Sequence, residues 1–305
     1  MMRFASKFSL FLIASASLSV SACAAEAPQV DTVQAAAASV VSGYDAPASA
    51  WRDVDPENLL IIDTVYGQIA VELYPEIAPR HVTQIKTLTR RNFYDGIKFH
   101  RVIEGFMNQT GDPKGDGTGD STLPDIEAEF TFRRPPSMPI ELIDARSTSA
   151  GEVGVGFYKS LPVASQPAAQ AMLTKDGKVP AYGLHCKGVT SMARAGDPNS
   201  GNSQFFLMRG TAPHLDTQYS VWGSTVYGRE LLTSFKVGAV GQDAGFVPDV
   251  MDKVRIAADI AEGERPRIQA LKVDSPAFDQ FISSQKNADG TYPDVCDIAI
   301  PTRKL

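Results

Sequence analysis

Phe99–Asp112 reads FHRVIEGFMNQTGD and Ser191–Gly210 reads SMARAGDPNSGNSQFFLMRG, and these two stretches decide the fold of this 305-residue chain. In the first, Arg101, Phe106, Met107 and Gln109 fall within nine residues. An extended segment alternates its side chains between faces, so Met107 and Gln109 share one face and Phe106 joins them only if the chain kinks. Gly105 permits that kink. A cation, a glutamine and two large apolar side chains in one cleft suit a neutral, apolar substrate rich in amide groups. They do not suit a phosphate or a metal.

Outward from these stretches, Leu59–Val65 and Gln68–Leu73 read as two strands joined at Tyr66-Gly67, a hairpin signal. Pro79 opens a helix with Val82, Ile85 and Leu88 on one face, and Asn92 with the Tyr94-Asp95-Gly96 turn ends it. Further strands are expected at 98–103, 106–110, 189–193, 204–208, 220–225 and 253–257, with a second short helix at 229–236. Many short strands with two helices predict an all-β fold, a closed barrel whose ends the helices cap.

Both opening stretches closely resemble the signature segments of the cyclophilin-type peptidyl-prolyl isomerases. The resemblance covers roughly Leu59 to Ala257, apart from an internal insertion. It implies an eight-stranded antiparallel barrel, no cofactor and proline-containing polypeptide substrates. Turning an X–Pro bond means breaking amide resonance, against a barrier of about 18–20 kcal/mol. A catalyst needs an apolar pocket for the ring, a donor aimed at the prolyl nitrogen and contacts that hold the flanking peptide. By the resemblance, Arg101 is the donor, and Phe106, Met107, Phe206 and Leu215 form the pocket. Gln109 and Gln204 bind peptide backbone, and the Ala193 region offers main-chain groups to an extended substrate. Arg101, Gln109 and Phe106 are thus the expected catalytic set. Three substrate-contacting positions depart from common family usage. Arg194 replaces a frequent asparagine, His214 a frequent tryptophan and Tyr219 a frequent histidine. Loss of the indole predicts weak binding of the cyclic peptide cyclosporin. Trp222 is expected in the core. A second use of the same fold is a catalytically weak module that holds client chains.

Two regions fall outside the family pattern. An insertion at about residues 131–182 carries scattered proline and glycine with few helix signals, and is expected beside the substrate groove, as a lid or as a surface embellishment. An extension at 261–305 follows, where Phe278, Phe281 and Ile282 predict a short helix packed back on the barrel.

The N-terminus reads differently. Arg3 and Lys7 precede an apolar run and small residues, the pattern of an export signal over residues 1–23. Val20-Ser21-Ala22-Cys23 resembles the bacterial lipobox, which makes Cys23 a lipidation site; ordinary cleavage near Ala22-Cys23-Ala24-Ala25 also fits. Ala24 after a lipidated cysteine points to the outer membrane, by resemblance to the usual sorting pattern. Residues 24–50, rich in alanine, serine and valine, read as a flexible tether. The mature protein is therefore expected in the periplasm, held to a membrane only by its lipid. Export leaves Cys186 and Cys296 either as a disulfide or as buried free thiols.

Other chemistries fare poorly. Net charge is −6, which speaks against a nucleic-acid footprint. His81, His100, His185 and His214 show no metal-ligand spacing and read as packing or surface, so no metal site is expected. The DPKGDGTGD run from Asp112 has Lys114 where a calcium ligand belongs. Nothing marks a second copy, and a monomer is the default.

Overall fold

LLIIDT, the strand Leu59–Thr64, is apolar almost throughout rather than alternating, and the computed structural model of residues 44–148 and 151–305 shows why. It pairs with Gly67–Leu73, and both faces of this hairpin are covered. Leu60, Ile62, Ile69, Val71 and Leu73 point into the main core, while Leu59, Ile61 and Ala70 pack outward against Val54, Ile268 and Ala270. A strand buried on both faces has no polar side to show.

The hairpin belongs to a nine-stranded antiparallel sheet in the order Gly238–Ala239, Arg101–Ile103, Met107–Thr110, Phe205–Met208, Val189–Met192, Val221–Tyr227, Gly67–Leu73, Leu59–Thr64, Lys253–Ile256. Eight are the expected strands; the two-residue piece at Gly238 is additional. The sheet curls until its far sides meet. Gly96 N–H donates to the Met251 carbonyl (2.7 Å), Met251 N–H to Ile97 (2.9 Å) and Phe99 N–H to Asp249 (2.8 Å). Helix α1, Pro79–Arg90, lays Val82, Ile85 and Leu88 over the core beside Trp222, which is wholly buried. It stops at Asn92, whose φ of 56° is the left-handed conformation asparagine tolerates.

The second capping α-helix, expected at 229–236, is instead a short 3-10 turn, Arg229–Thr233. The cause lies in its carbonyls. Asn108 Nδ2 donates to Leu232 O (2.9 Å), and Arg209 donates to Thr233 O (3.1 Å) and Phe235 O (2.9 Å). Side chains from the barrel satisfy acceptors that an α-helix would have paired internally.

The insertion is a second sheet, not a loose embellishment. Its strands run Phe132–Arg134, Val179–Gly183, Leu161–Ser165, Gly151–Tyr158, Ile140–Thr148 in spatial order, all antiparallel. Gly154 and Gly156 look like strand breakers in sequence, yet they sit mid-strand opposite an irregularity between Leu142 and Asp144. A Cβ on Gly156 would lie 1.9 Å from Glu141 O, and one on Gly154 2.5 Å from Leu142 Cδ1. At Gly156 the backbone of the bulged partner leaves room only for glycine, while at Gly154 the Leu142 side chain would have to move aside.

The extension packs as expected and adds more. Helix α2, Pro276–Ser284, is capped by the Ser275 hydroxyl, which accepts from Phe278 N–H (3.2 Å), and it buries Phe278 edge-on to Phe157 of the insertion at 6.2 Å. Ile268–Leu271 and Thr302–Lys304 form a three-stranded sheet with Trp51–Asp53. Arg52 grips the buried Glu72 with two bonds of 2.6 and 2.7 Å and also reaches Ser160, joining this sheet to barrel and insertion. Residues 44–50 are not tether: Tyr44 Oη donates to Ala277 O (2.6 Å) and its ring meets Phe281 at 5.4 Å. Cys186 and Cys296 are bonded, with Cα atoms 4.8 Å apart. The export signal and Cys23 lie outside the described residues.

Candidate active site

The sheet register lines up the site. Arg101 is the cross-strand partner of Gln109, Gln109 of Phe206, and Phe206 of Ser191, so one row crosses four strands on one face. Met107, two residues from Gln109, lies on the same face. Phe106 joins them because the hairpin turns at Glu104-Gly105-Phe106: Gly105 takes φ +66° and Phe106 N–H closes the turn onto Ile103 O (3.1 Å). The kink that glycine permitted is present.

These side chains open into a cavity of about 400 Å3 that also includes Ala193, Arg194, His214, Leu215 and Tyr219. Met107, Phe206 and Leu215 are buried and make its apolar floor. Phe106 stacks on His214 at 5.9 Å, and Tyr219 stands edge-on to Phe206 at 5.7 Å. The Arg194 guanidinium lies 4.7 Å over Tyr219 and 5.6 Å over Phe130, and it donates to Gln218 O and Ala195 O. Such a cation braces an aromatic wall. Among the described residues, none of the insertion lines this cavity, so the insertion does not cover the groove here as a lid would. The insertion packs instead against α2 and the barrel.

Gln204 is the one expected substrate residue outside the cavity; it lines the adjoining one of about 310 Å3. Its Nε2 donates to Gly119 O (2.8 Å) and Gly117 O (3.2 Å), and its Oε1 accepts from Gln109 Nε2 (3.1 Å). Gln109 Oε1 in turn accepts from Arg101 Nη1 (3.2 Å). The two glutamines form a chain that aims the guanidinium. The glycine-loop carbonyls that start it carry no residue-type signal, which is why sequence reading missed them.

Asp112 holds that loop. Its carboxylate accepts from the backbone N–H groups of Lys114 (2.7 Å), Asp116 (3.0 Å) and Gly117 (2.5 Å). Burial works to raise its pKa, but these donors outweigh burial and hold the carboxyl below its usual value. A depressed carboxyl stabilises the fold above the unfolded pKa of about 3.9 and loses that contribution as pH falls through and below it. The amides of Lys114, Asp116 and Gly117 are therefore expected to stay protected from hydrogen exchange at pH 5–7 and to open first on acidification below about pH 4. Asp112→Asn should expose them at neutral pH and cost about 1–3 kcal/mol, because one side of the group can no longer accept. Unchanged protection in that variant would contradict this account.

Residues 59–257 match the family model described as cyclophilin type peptidyl-prolyl cis-trans isomerase/CLD. The chain belongs to the cyclophilin-type peptidyl-prolyl isomerases. Among relatives of this cyclophilin, the probable peptidyl-prolyl cis-trans isomerase of Brucella suis biovar 1 is 35% identical over 217 residues, covering 67% of this chain and 85% of the relative. That of Brucella abortus (strain 2308) is 34% identical over the same length. The crystal structure of the cyclophilin AquaCyp293 from Hirschia baltica superposes with a TM-score of 0.75 at 36% identity, covering 84% of this chain and 93% of that one. That share exceeds what residues 59–257 alone make up, so the likeness extends beyond the cyclophilin barrel.

Proposed function

We propose that this cyclophilin turns X–Pro bonds in exported protein chains, with Arg101 as the donor to the prolyl nitrogen. The observation that carries the site assignment is the convergence of Arg101, Phe106, Met107, Gln109, Phe206 and Leu215 on one groove. The prolyl ring enters the apolar floor between Phe206, Met107 and Leu215. As the imide rotates, its nitrogen becomes pyramidal and gains a lone pair. Arg101, held by Gln109 from one side, offers that lone pair a permanently charged N–H. The donor meets charge that develops only in the twisted state, which is the differential binding that accelerates a reaction. Gln109 orients the guanidinium, while the Ala193 main chain and Arg194 flank the path of the extended peptide.

The exported context is supported by the signal pattern before Cys23 and by the Cys186–Cys296 bond, since such bridges persist in oxidising compartments. In this reading the protein is lipidated at Cys23 and works on folding chains at the periplasmic face of the outer membrane as a monomer, with residues 24–43 as the tether. Proline isomerisation otherwise takes about 10–100 s and limits folding. Fractionation of cells making the full chain or Cys23→Ser tests the anchor. The full chain is expected with membranes and the variant in the soluble periplasmic fraction. Identical partition of the two would leave plain secretion, and recovery from the cytosol would overturn export.

A further inference from the structure

Behind the groove lies a set of titratable side chains that the isomerase reading does not use. His185 Nδ1 sits 2.9 Å from Asp216 Oδ1, and the same oxygen accepts the His185 backbone N–H at 2.9 Å. On the other side of the ring, Nε2 lies 2.9 Å from Ser191 Oγ. A carboxylate at Nδ1 requires the hydrogen there, which leaves Nε2 of the neutral ring to accept from the serine hydroxyl. Serine, histidine and aspartate in this order form the constellation of nucleophilic hydrolysis. Here that use is closed: Ser191 and the His185 side chain are both 0% exposed, so no substrate carbonyl reaches Oγ.

What the set does touch is the wall of the proline pocket. The His185 ring stacks on Phe206 at 6.2 Å and an interplanar angle of 23°, and meets Tyr219 edge-on at 6.4 Å. Asp216 follows Leu215 directly in the chain, so its carboxylate fastens the segment that carries His214, Leu215 and Tyr219. The His185 carbonyl accepts from Ala212 N–H (2.9 Å) at the start of that segment. One residue thus holds the pocket segment through its N–H, its C=O and its ring. Ser191, the register partner of Phe206, holds the ring from the sheet.

We infer that His185, fixed by Asp216 and Ser191, is a positioning residue for the isomerase, holding Phe206, Leu215 and Tyr219 at the spacing that grips the prolyl ring. The inference rests on the groove being the site of isomerisation. Because pocket walls contact the ring in both ground and twisted states, loosening them raises KM more than it lowers kcat.

The test measures kcat and KM on a short Xaa-Pro peptide, with melting temperatures, for the full chain carrying Asp216→Ala, Asp216→Asn, His185→Phe, Ser191→Ala or Arg101→Ala. Asp216→Ala and His185→Phe are expected to lower kcat/KM about tenfold, mostly through KM, a loss of ~1.4 kcal/mol in transition-state binding. Asp216→Asn keeps an oxygen that accepts from both N–H groups and should recover to within about twofold. If Asp216→Ala does not fold, Ser191→Ala, which removes one hydroxyl, carries the test: KM raised about threefold supports the inference and unchanged KM overturns it. A folded Asp216→Ala with native KM, or Asp216→Asn as impaired as Asp216→Ala, also overturns it. Full activity in Arg101→Ala would remove the groove assignment itself; loss there with native kinetics in the other variants rejects the positioning role alone.

Discussion

Arg101→Ala is expected to lower kcat/KM toward a short Xaa-Pro peptide by about 10²–10³, the cost of deleting the preorganised donor on which the proposed mechanism relies. Almost none of that loss should appear in the melting temperature. Arg101 is partly exposed, and its bond to Gln109 is a long one at 3.2 Å. Removing it leaves Gln109 still bound to Gln204, so the stability change should stay below about 1 kcal/mol. Arg101→Lys should not rescue, because a single ammonium cannot keep Gln109 and address the nitrogen with a second N–H of a fixed fork. A prolyl-isomerisation assay on the three proteins decides the matter. Native rates in Arg101→Ala would leave the groove as a holding surface for client chains.

The second large effect concerns stability. The Cys186–Cys296 bond closes a loop spanning 110 residues of sequence, for which chain-entropy arguments give about 4–5 kcal/mol and measured removals about 2–5 kcal/mol. Both cysteines are buried, so a serine in either place adds a hydroxyl without a partner. Cys296→Ser, or reduction of the native protein, is expected to lower the melting temperature by about 5–15 °C. A reduced sample, with both thiols titrated, that melts at the native temperature would refute this. The bridge fastens the extension next to His185, so its loss should be felt at the pocket wall as well as in the melt.

How much of this was legible in the sequence depends on what each segment packs against. The eight barrel strands and α1 were readable because hairpin turns, helix periodicity and the two signature segments agree. The groove lining was partly readable for the same reason: Arg101, Met107, Gln109 and Phe206 share one face of adjacent strands, and strand alternation is visible in a sequence, whereas Phe106 reaches them from a turn and Leu215 from the 3-10 turn Pro213–Leu215. Gln204, expected to touch substrate, lies instead in the adjoining cavity and accepts a hydrogen bond from Gln109, a relation no spacing encodes. The insertion was illegible because Gly154 and Gly156 answer to a bulge on a partner strand, information held elsewhere in the chain. The turn at Arg229–Thr233 failed as a helix because Asn108 and Arg209 claim its carbonyls. His185 looked like ordinary packing, and only its distances to Asp216 and Ser191 separate it from that.

The three-stranded sheet uniting Trp51–Asp53, Ile268–Leu271 and Thr302–Lys304 has a consequence for how the molecule is born. The earliest strand of the described body finds its mate more than two hundred residues later, Leu59–Thr64 waits for Lys253–Ile256, and Cys186 waits for Cys296. Pairings that distant are slow to form, because the chain between them must be closed before any contact rewards it. The enclosing sheet and the disulfide are therefore expected to close last, around local pairings such as Leu59–Thr64 with Gly67–Leu73 that need no distant partner.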